Sequence, residues 1–151
     1  MDKFFDAVLN RPALMAPLLL IARLFMAAVF VTFGISKAVF TPQIQEYMRA
    51  HNVSPDLVYL VIVVQIGFGL MVAAGYQTRI AALMLAGFCI VATSLFHTAW
   101  NEPGELAHFT KDFSIAGGFL FMIAYGPGAW SLDAYLSRAR YHYPGTVSRS
   151  S

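Results

Sequence analysis

Four long apolar stretches constrain the fold of this chain more than any other feature. They run from about Pro17 to Val39, Leu57 to Ala74, Ile80 to Ala99 and Phe113 to Trp130. Each is close to the ~20 residues that a helix needs to cross ~30 Å of hydrocarbon. Only 12% of the residues are charged, against roughly 25% in soluble domains. The sequence therefore predicts an all-α membrane protein: one antiparallel four-helix transmembrane bundle with short loops, over residues 1–140.

The basic residues predict the orientation of this bundle, because Lys and Arg beside membrane spans are retained in the cytoplasm. One side carries Lys3, Arg11, Arg79, Arg138, Arg140 and Arg149, whereas Arg49 is the only basic residue clearly in a loop on the other side. With an even number of spans, both termini are expected in the cytoplasm, and residues 141–151 are expected to form a flexible cytoplasmic tail. The net charge of +2 is too small to indicate a nucleic-acid partner.

Short connections follow from the turn residues. Gly75 begins a tight turn between the second and third spans, since glycine is the usual residue just past a helix end. Residues 43–50 are expected to form a short helix at the membrane interface, and residues 132–140 another after the Gly126-Pro127-Gly128 break.

Few polar residues interrupt the apolar stretches, and they mark the candidate ligand site. Lys37 and His97 end the first and third spans, and Lys111 and Asp112 precede the fourth, so all four are expected at the outer end. Gln65 lies about 12 Å inside the second span, counted at the rise of a helix. An unpaired charge at the bilayer centre costs about 2.5–3.5 kcal/mol. We therefore predict that these residues form one hydrogen-bonded cluster. Asp112 is expected to balance the charges of both lysines, because it is the only acidic residue in position that does not lie in a predicted loop.

A structural interpretation exists for each of these residues. Lys37 and Lys111 could serve as interfacial anchors, and His97 and Gln65 as interhelical hydrogen-bond partners. Arg23 lies about 9 Å inside the cytoplasmic end of the first span. It is predicted to be structural, either snorkelling to the interface or pairing with the acidic residue Asp133.

Metal and thiol chemistry are not predicted. His51, Glu102, Glu105 and His108 lie in predicted outer connections without a recognised ligand spacing. Cys89 is the only cysteine, so neither an intramolecular disulfide nor a dithiol redox pair can form.

Several short motifs, in order along residues 21–138, resemble the DoxX family. They are Arg23, Phe33-Gly34-Ile35-Ser36-Lys37, Gly67-Phe68-Gly69, Gly75-Tyr76-Gln77-Thr78-Arg79, Phe96-His97, Lys111-Asp112-Phe113-Ser114-Ile115-Ala116-Gly117-Gly118 and Gly126-Pro127-Gly128-Ala129-Trp130-Ser131-Leu132-Asp133. The resemblance implies a small four-span protein of the bacterial inner membrane. That family takes its name from similarity to a subunit of an archaeal terminal quinol oxidase complex. The resemblance also implies that this chain departs from the family pattern at two positions. Family members usually have glutamate at the position of Gln65 and asparagine at the position of Asp112.

Three classes of function remain open. The resemblance implies a link to quinone-coupled redox metabolism or oxidative-stress defence. No intrinsic cofactor is expected, because the sequence has no haem ligand pair, flavin fingerprint or dithiol. A quinone would then bond to Lys37, His97 or Gln65, and its ring would pack on Phe30, Phe33 or Phe96. A redox enzyme would supply the electrons. The alternatives are a non-catalytic anchor or assembly factor for such an enzyme, and a small-solute transporter. A homo-oligomer and a catalytic role are also left open.

Overall fold

The computed structural model describes residues 12–97 and 103–141, and every regular element in these ranges is helical. The helices are α1 (Pro12–Val39), α2 (Thr41–Ala50), α3 (Leu57–Ala74), α4 (Thr78–Phe96), α5 (Pro103–Tyr125) and α6 (Leu132–Tyr141). The predicted all-α class is confirmed for this part of the chain. The short helices α2 and α6 lie where the sequence predicts them. The predicted flexible tail beyond Tyr141 falls outside the described residues.

Three helices are long and apolar enough to cross a membrane. Their spans are Leu14–Val39, Leu57–Ala74 and Thr78–Phe96, which correspond to the first three apolar stretches; residues 98 and 99 of the third stretch are outside the described ranges. Large apolar side chains point away from the protein, such as Phe25 and Val63, which are 72% and 67% exposed. Lipid covers such surfaces in a bilayer, so these helices contact the lipid directly.

Helix α5 differs from the predicted fourth span. It begins at Pro103 and ends at Tyr125, whereas the prediction placed a span over residues 113–130. Gly126 and Gly128 end it with φ of 78° and 83°, a left-handed conformation that favours glycine. Residues 103–110, predicted as part of an outer connection, are helical. The hydropathy pattern did not predict this helical segment, because hydropathy measures how well a segment is accommodated by lipid and not whether it is helical. That α5 crosses the membrane, completing an antiparallel four-span bundle, stays a prediction.

One apolar core joins the four long helices. Its buried members are Ala27, Phe30, Val72, Ala81, Ala82, Leu85, Ala86, Cys89, Ala116 and Phe119. The ring of Phe30 on α1 lies 5.3 Å from that of Phe119 on α5 and 6.3 Å from that of Phe88 on α4. Alanine dominates the rest of the core, so helix backbones approach closely. Phe30, predicted to pack against a ligand, is thus only 3% exposed and belongs to this core.

Helices α1 and α3 meet tightly at Gly34. A Cβ atom at this position would lie 2.6 Å from Cγ1 of Ile66 and 3.3 Å from Cβ of Gln65. Lys37 follows Gly34 by three residues and so lies on the same face of α1, about one turn further along. This contact places Gln65 beside α1, one turn below Lys37.

A tight turn that begins at Gly75 connects α3 and α4, as the sequence predicts. Gly75 has φ of 70°, and its N–H donates to the Val72 carbonyl while the Tyr76 N–H donates to the Met71 carbonyl, at 3.1 and 2.9 Å. This pair of bonds is a Schellman-type helix end, which satisfies carbonyls that the helix leaves free. The chain then re-enters a helix at Thr78, so α3 and α4 are neighbours.

Candidate functional site

The polar residues near the end of α4 and in the first half of α5 form one connected group. We call His97, Glu105, His108, Lys111 and Asp112 the polar cluster. The Nδ1 atom of His97 lies 2.9 Å from Oε2 of Glu105, and the His97 ring stacks on that of His108 with centroids 5.0 Å apart. The Lys111 ammonium lies 3.3 Å from Nδ1 of His108 and 3.6 Å from Oδ1 of Asp112. The cluster therefore connects the end of α4 to about two turns of α5.

Lys37 adds a second ammonium group beside this cluster. It is half-buried, and its Nζ atom lies 5.5 Å from the centroid of the Phe33 ring, within range of a cation–π attraction. It also interacts electrostatically with both Asp112 and Lys111. Two lysines and two carboxylates thus share the site, and their charges balance when the imidazoles are neutral.

An aromatic group borders the polar cluster. The Tyr47 ring on α2 stacks on Phe96 at the end of α4, with centroids 5.5 Å apart, and His51 lies 4.4 Å from Tyr47 and 5.4 Å from Phe96. Partial burial, together with the nearby Glu105 carboxylate, raises the pKa of the Tyr47 hydroxyl. This phenol therefore stays a protonated hydrogen-bond donor at neutral pH.

Gln65 is buried as the prediction requires, but its bonding is incomplete. It is 5% exposed, and its side-chain oxygen has no hydrogen-bond partner in the described part of the chain; the same holds for the hydroxyl of Thr93, which is fully buried. No hydrogen bond joins Gln65 to a polar-cluster side chain within the described ranges. Its predicted place at the base of the cluster rests on its contact with α1 below Lys37.

Sequence reasoning left two members out of the ligand site, Glu105 and His108. It assigned both to a loop, although their spacing holds a signal: Glu105, His108 and Lys111 recur every three residues, which places them on one face once this segment is helical. Glu105 thus adds a second carboxylate to the site, but it bonds to His97, whereas Asp112 lies beside Lys111 and acts on Lys37. Among the described residues, no three His, Cys, Asp or Glu side chains are arranged to hold a metal ion.

Arg23 lies at the opposite end of the fold, in what we call the arginine anchor: Arg23, Gly75, Thr78 and Asp133. It is 2% exposed. Its Nη1 and Nη2 atoms donate to the backbone carbonyls of Pro127 and Trp130, at 2.7 and 2.9 Å. The anchor therefore ties α1 to the segment that follows α5.

The predicted partner of Arg23, Asp133, contacts other groups. Its carboxylate accepts hydrogen bonds from the backbone N–H groups of Gln77 and Thr78 and from the Thr78 hydroxyl, at 2.8, 3.0 and 3.0 Å. Its own N–H donates to the Gly75 carbonyl at 2.9 Å. The Asp133 charge still acts on Arg23 electrostatically, so the two residues share a network without a direct bond. The structural role of both stays a prediction.

Long apolar helices that bury a compact core, with a polar cluster at one end and a buried arginine at the other, define an integral membrane protein. The chain belongs to the DoxX family, whose family model matches residues 18–98. This match confirms the resemblance seen in the sequence motifs and covers α1 to α4, including Lys37, Gln65 and His97.

Individual relatives agree with this assignment. The chain is 38% identical to inner membrane protein YqjF of Escherichia coli strain K12 over 119 residues, 79% of this chain and 92% of that protein. It is 29% identical to inner membrane protein YphA of the same organism, over 87% of this chain and 96% of that one. Identity to the uncharacterized membrane protein Rv3486 of Mycobacterium tuberculosis is 30%, with 81% and 83% covered. No solved structure matches. The chain is thus a multi-pass protein of the inner membrane.

Proposed function

We propose that the polar cluster binds a quinone-like head group, and that the protein serves as a membrane component of a redox-linked complex. One observation carries the proposal. Contacts link the members of the polar cluster one to the next, from Glu105 through His97, His108 and Lys111 to Asp112. Hydrogen-bond donors, acceptors and two imidazoles thereby lie beside aromatic rings. The site lies at the end of lipid-facing helices, where an amphipathic ligand can enter from the bilayer.

The chemistry of a quinone suits these groups. Its two carbonyl oxygens are acceptors, and the ammonium groups of Lys37 and Lys111 are charged donors. Its flat ring can pack against Phe33, which is 51% exposed, or against Phe96, which already stacks on Tyr47. Phe30 is buried in the core and contributes only indirectly, by supporting this end of the bundle.

Proton transfer is the second part of the proposal. Conversion of a quinone to a quinol consumes two electrons and two protons. An imidazole hydrogen-bonded to a carboxylate, as in the His97 and Glu105 pair, can donate a proton to a carbonyl oxygen and be reprotonated. A redox enzyme in the complex would supply the electrons, because the chain's single cysteine cannot form a dithiol couple.

Titration with a short-chain ubiquinone tests the proposal on the purified full chain. We expect the quinone to raise the thermal unfolding temperature of the unmodified protein in detergent. Lys111→Gln or His97→Ala should each weaken the apparent affinity about tenfold, since a charged hydrogen bond contributes about 1.5–3 kcal/mol. Asp56→Asn is the matched control, because Asp56 is exposed and forms no side-chain cap on α3. Equal affinity in all variants would reject the site.

Lipid extraction with mass spectrometry separates this function from its alternatives. Mild-detergent purification that yields a stoichiometric quinone supports the proposal. A stoichiometric redox enzyme without quinone would instead favour an anchor or assembly factor. Solute flux into liposomes, lost in Lys37→Gln, would favour a transporter, since ionisable residues inside membranes often mark transport paths.

Orientation decides which compartment the site faces. We propose that both termini are cytoplasmic and that the polar cluster faces outward, on the strength of the asymmetry in basic residues. In a Cys89→Ala background, a membrane-impermeant thiol reagent applied to intact spheroplasts should label Asn101→Cys and leave Ser151→Cys unlabelled. The reverse labelling pattern would invert the orientation.

A further inference from the structure

An open cavity of about 720 Å³ lies at the end of the protein that holds the arginine anchor. Its walls are the first turn of α4, the segment that follows α5 and one face of α6. Gln77, Arg79 and Asp133 supply its charged and amide side chains. The cavity is distant in sequence from every member of the polar cluster, and the proposed quinone function makes no use of it.

The carboxylate in this cavity is already occupied. Both oxygens of Asp133 accept hydrogen bonds, from the Gln77 and Thr78 backbones and the Thr78 hydroxyl. The nearby buried cation Arg23 offsets its charge. Asp133 therefore neither repels an anion strongly nor offers a free acceptor to a cation.

Arg79 is different, because no described residue forms an ion pair with it. No hydrogen bond or ion pair engages its side chain in the described ranges. The guanidinium lies against Gly126, where a Cβ atom would be 3.6 Å from Nη2 and 3.8 Å from Nε. The guanidinium thus lies at the wall of the cavity, where its planar fork of N–H donors can reach an oxyanion. Carboxylate and phosphate are the anions that this fork matches, through two parallel hydrogen bonds.

A second arginine lies close to the cavity. Helix α6 lines the cavity with Ala134 and Ser137, and Arg138 follows Ala134 by four residues, so it lies on the same face one turn further along. Arg138 is exposed and, like Arg79, is not paired with any described residue. Two arginines that form no ion pair within the described ranges therefore flank one opening.

Aromatic side chains indicate the depth of this opening in the membrane. Tyr125, on the cavity wall, is 75% exposed, and Trp130, five residues later, is 57% exposed. Exposed tyrosine and tryptophan at the ends of apolar helices are typical of the level of lipid head groups. A phosphate at that level is most abundant as part of a glycerophospholipid.

We infer that this cavity binds a phosphate group, held by Arg79 and Arg138. The source is either the head group of an anionic glycerophospholipid or free phosphate, and the chemistry of recognition is the same for both. Gln77, whose side chain also lines the cavity, can donate an amide hydrogen bond to the same oxygens.

Native mass spectrometry of the purified full chain tests the site. The protein is loaded with phosphatidylglycerol or with phosphatidylcholine in detergent, and the retained lipid is counted. We expect preferential retention of phosphatidylglycerol, reduced about fivefold by Arg79→Gln and further by Arg79→Gln with Arg138→Gln, as each basic residue near anionic lipid contributes on that scale. Arg49→Gln is the matched control, an exposed arginine far from the cavity in α2. Arg79→Lys, which keeps the charge but loses the fork, should lie between.

A parallel titration with inorganic phosphate separates the two sources. A rise in the unfolding temperature with phosphate, absent in Arg79→Gln, together with no lipid preference, would assign the site to free phosphate. Lipid preference without a phosphate effect would assign it to the head group. Retention and stability that do not differ among the unmodified chain, Arg79→Gln, Arg79→Lys and Arg49→Gln would overturn the inference.

Discussion

Arg23→Ala is expected to lower the free energy of unfolding by about 3–5 kcal/mol, because a hydrogen bond to a charged group contributes about 1.5–3 kcal/mol and two such bonds are lost. The side chain is almost fully buried and donates to two backbone carbonyls, those of Pro127 and Trp130. Its loss leaves both carbonyls without these donors in a region of low dielectric constant. It also leaves the charge of Asp133 without the cation that acts on it.

Thermal and chemical unfolding in detergent measure this effect, with Arg49→Ala as the control arginine. Asp133→Ala should also destabilise the protein, because three donors at the start of α4 lose their acceptor. The double variant should lose less than the sum of the two single losses, since both act on one network. Unchanged stability of Arg23→Ala, combined with weaker quinone binding, would contradict a structural role and place Arg23 in the binding site.

The position of this anchor could be predicted from sequence, but its bonds could not. The depth of Arg23 in the first span, together with the energetic cost of a buried charge, required a partner near the end of that span. The actual acceptors are backbone carbonyls, and their direction depends on the path of residues 126–131. Left-handed φ values at Gly126 and Gly128 set that path. Every residue has a backbone carbonyl, so residue type does not indicate which carbonyl accepts the hydrogen bond. A search among acidic side chains therefore finds Asp133 and misses the carbonyls of Pro127 and Trp130.

Hydropathy predicted the fold well where lipid compatibility and helicity coincide. Helices α1, α3 and α4 follow the apolar stretches because a span must be both apolar and helical. Over the first ten residues of α5 the two properties separate: the segment is helical and carries Glu105 and His108. Two of the five polar-cluster residues therefore lay outside the sequence prediction. The other three, and Lys37 beside them, were predicted because they interrupt or border an apolar stretch.

Asp112→Asn should destabilise the fold by about 1–2 kcal/mol, and Gln65→Glu should restore much of that loss. Asp112 lies 3.6 Å from the ammonium of Lys111 and also attracts Lys37. Without it, two lysines repel each other near lipid, and the remaining carboxylate, Glu105, is bonded to His97. The expected loss stays below that of a fully buried pair because the Lys111 side chain is 49% exposed.

Compensation by Gln65→Glu follows from the packing of α1 on α3. Gln65 lies beside Gly34, one turn below Lys37, so a carboxylate there would be within reach of the Lys37 ammonium. The double variant also has the arrangement that the sequence resemblance implies for the family, with glutamate on α3 and asparagine on α5. In the unmodified background, Gln65→Glu alone should be destabilising, because it adds a buried charge to a site whose charges already balance.

Free energies of unfolding of the four proteins in this cycle, with Asp56→Asn as the control, give the coupling energy. A favourable coupling would show that the cluster requires one negative charge near Lys37 and accepts it from either helix. A double variant no more stable than Asp112→Asn would mean that Gln65 does not reach Lys37, and the charged site would then consist of Lys37 and the polar cluster alone.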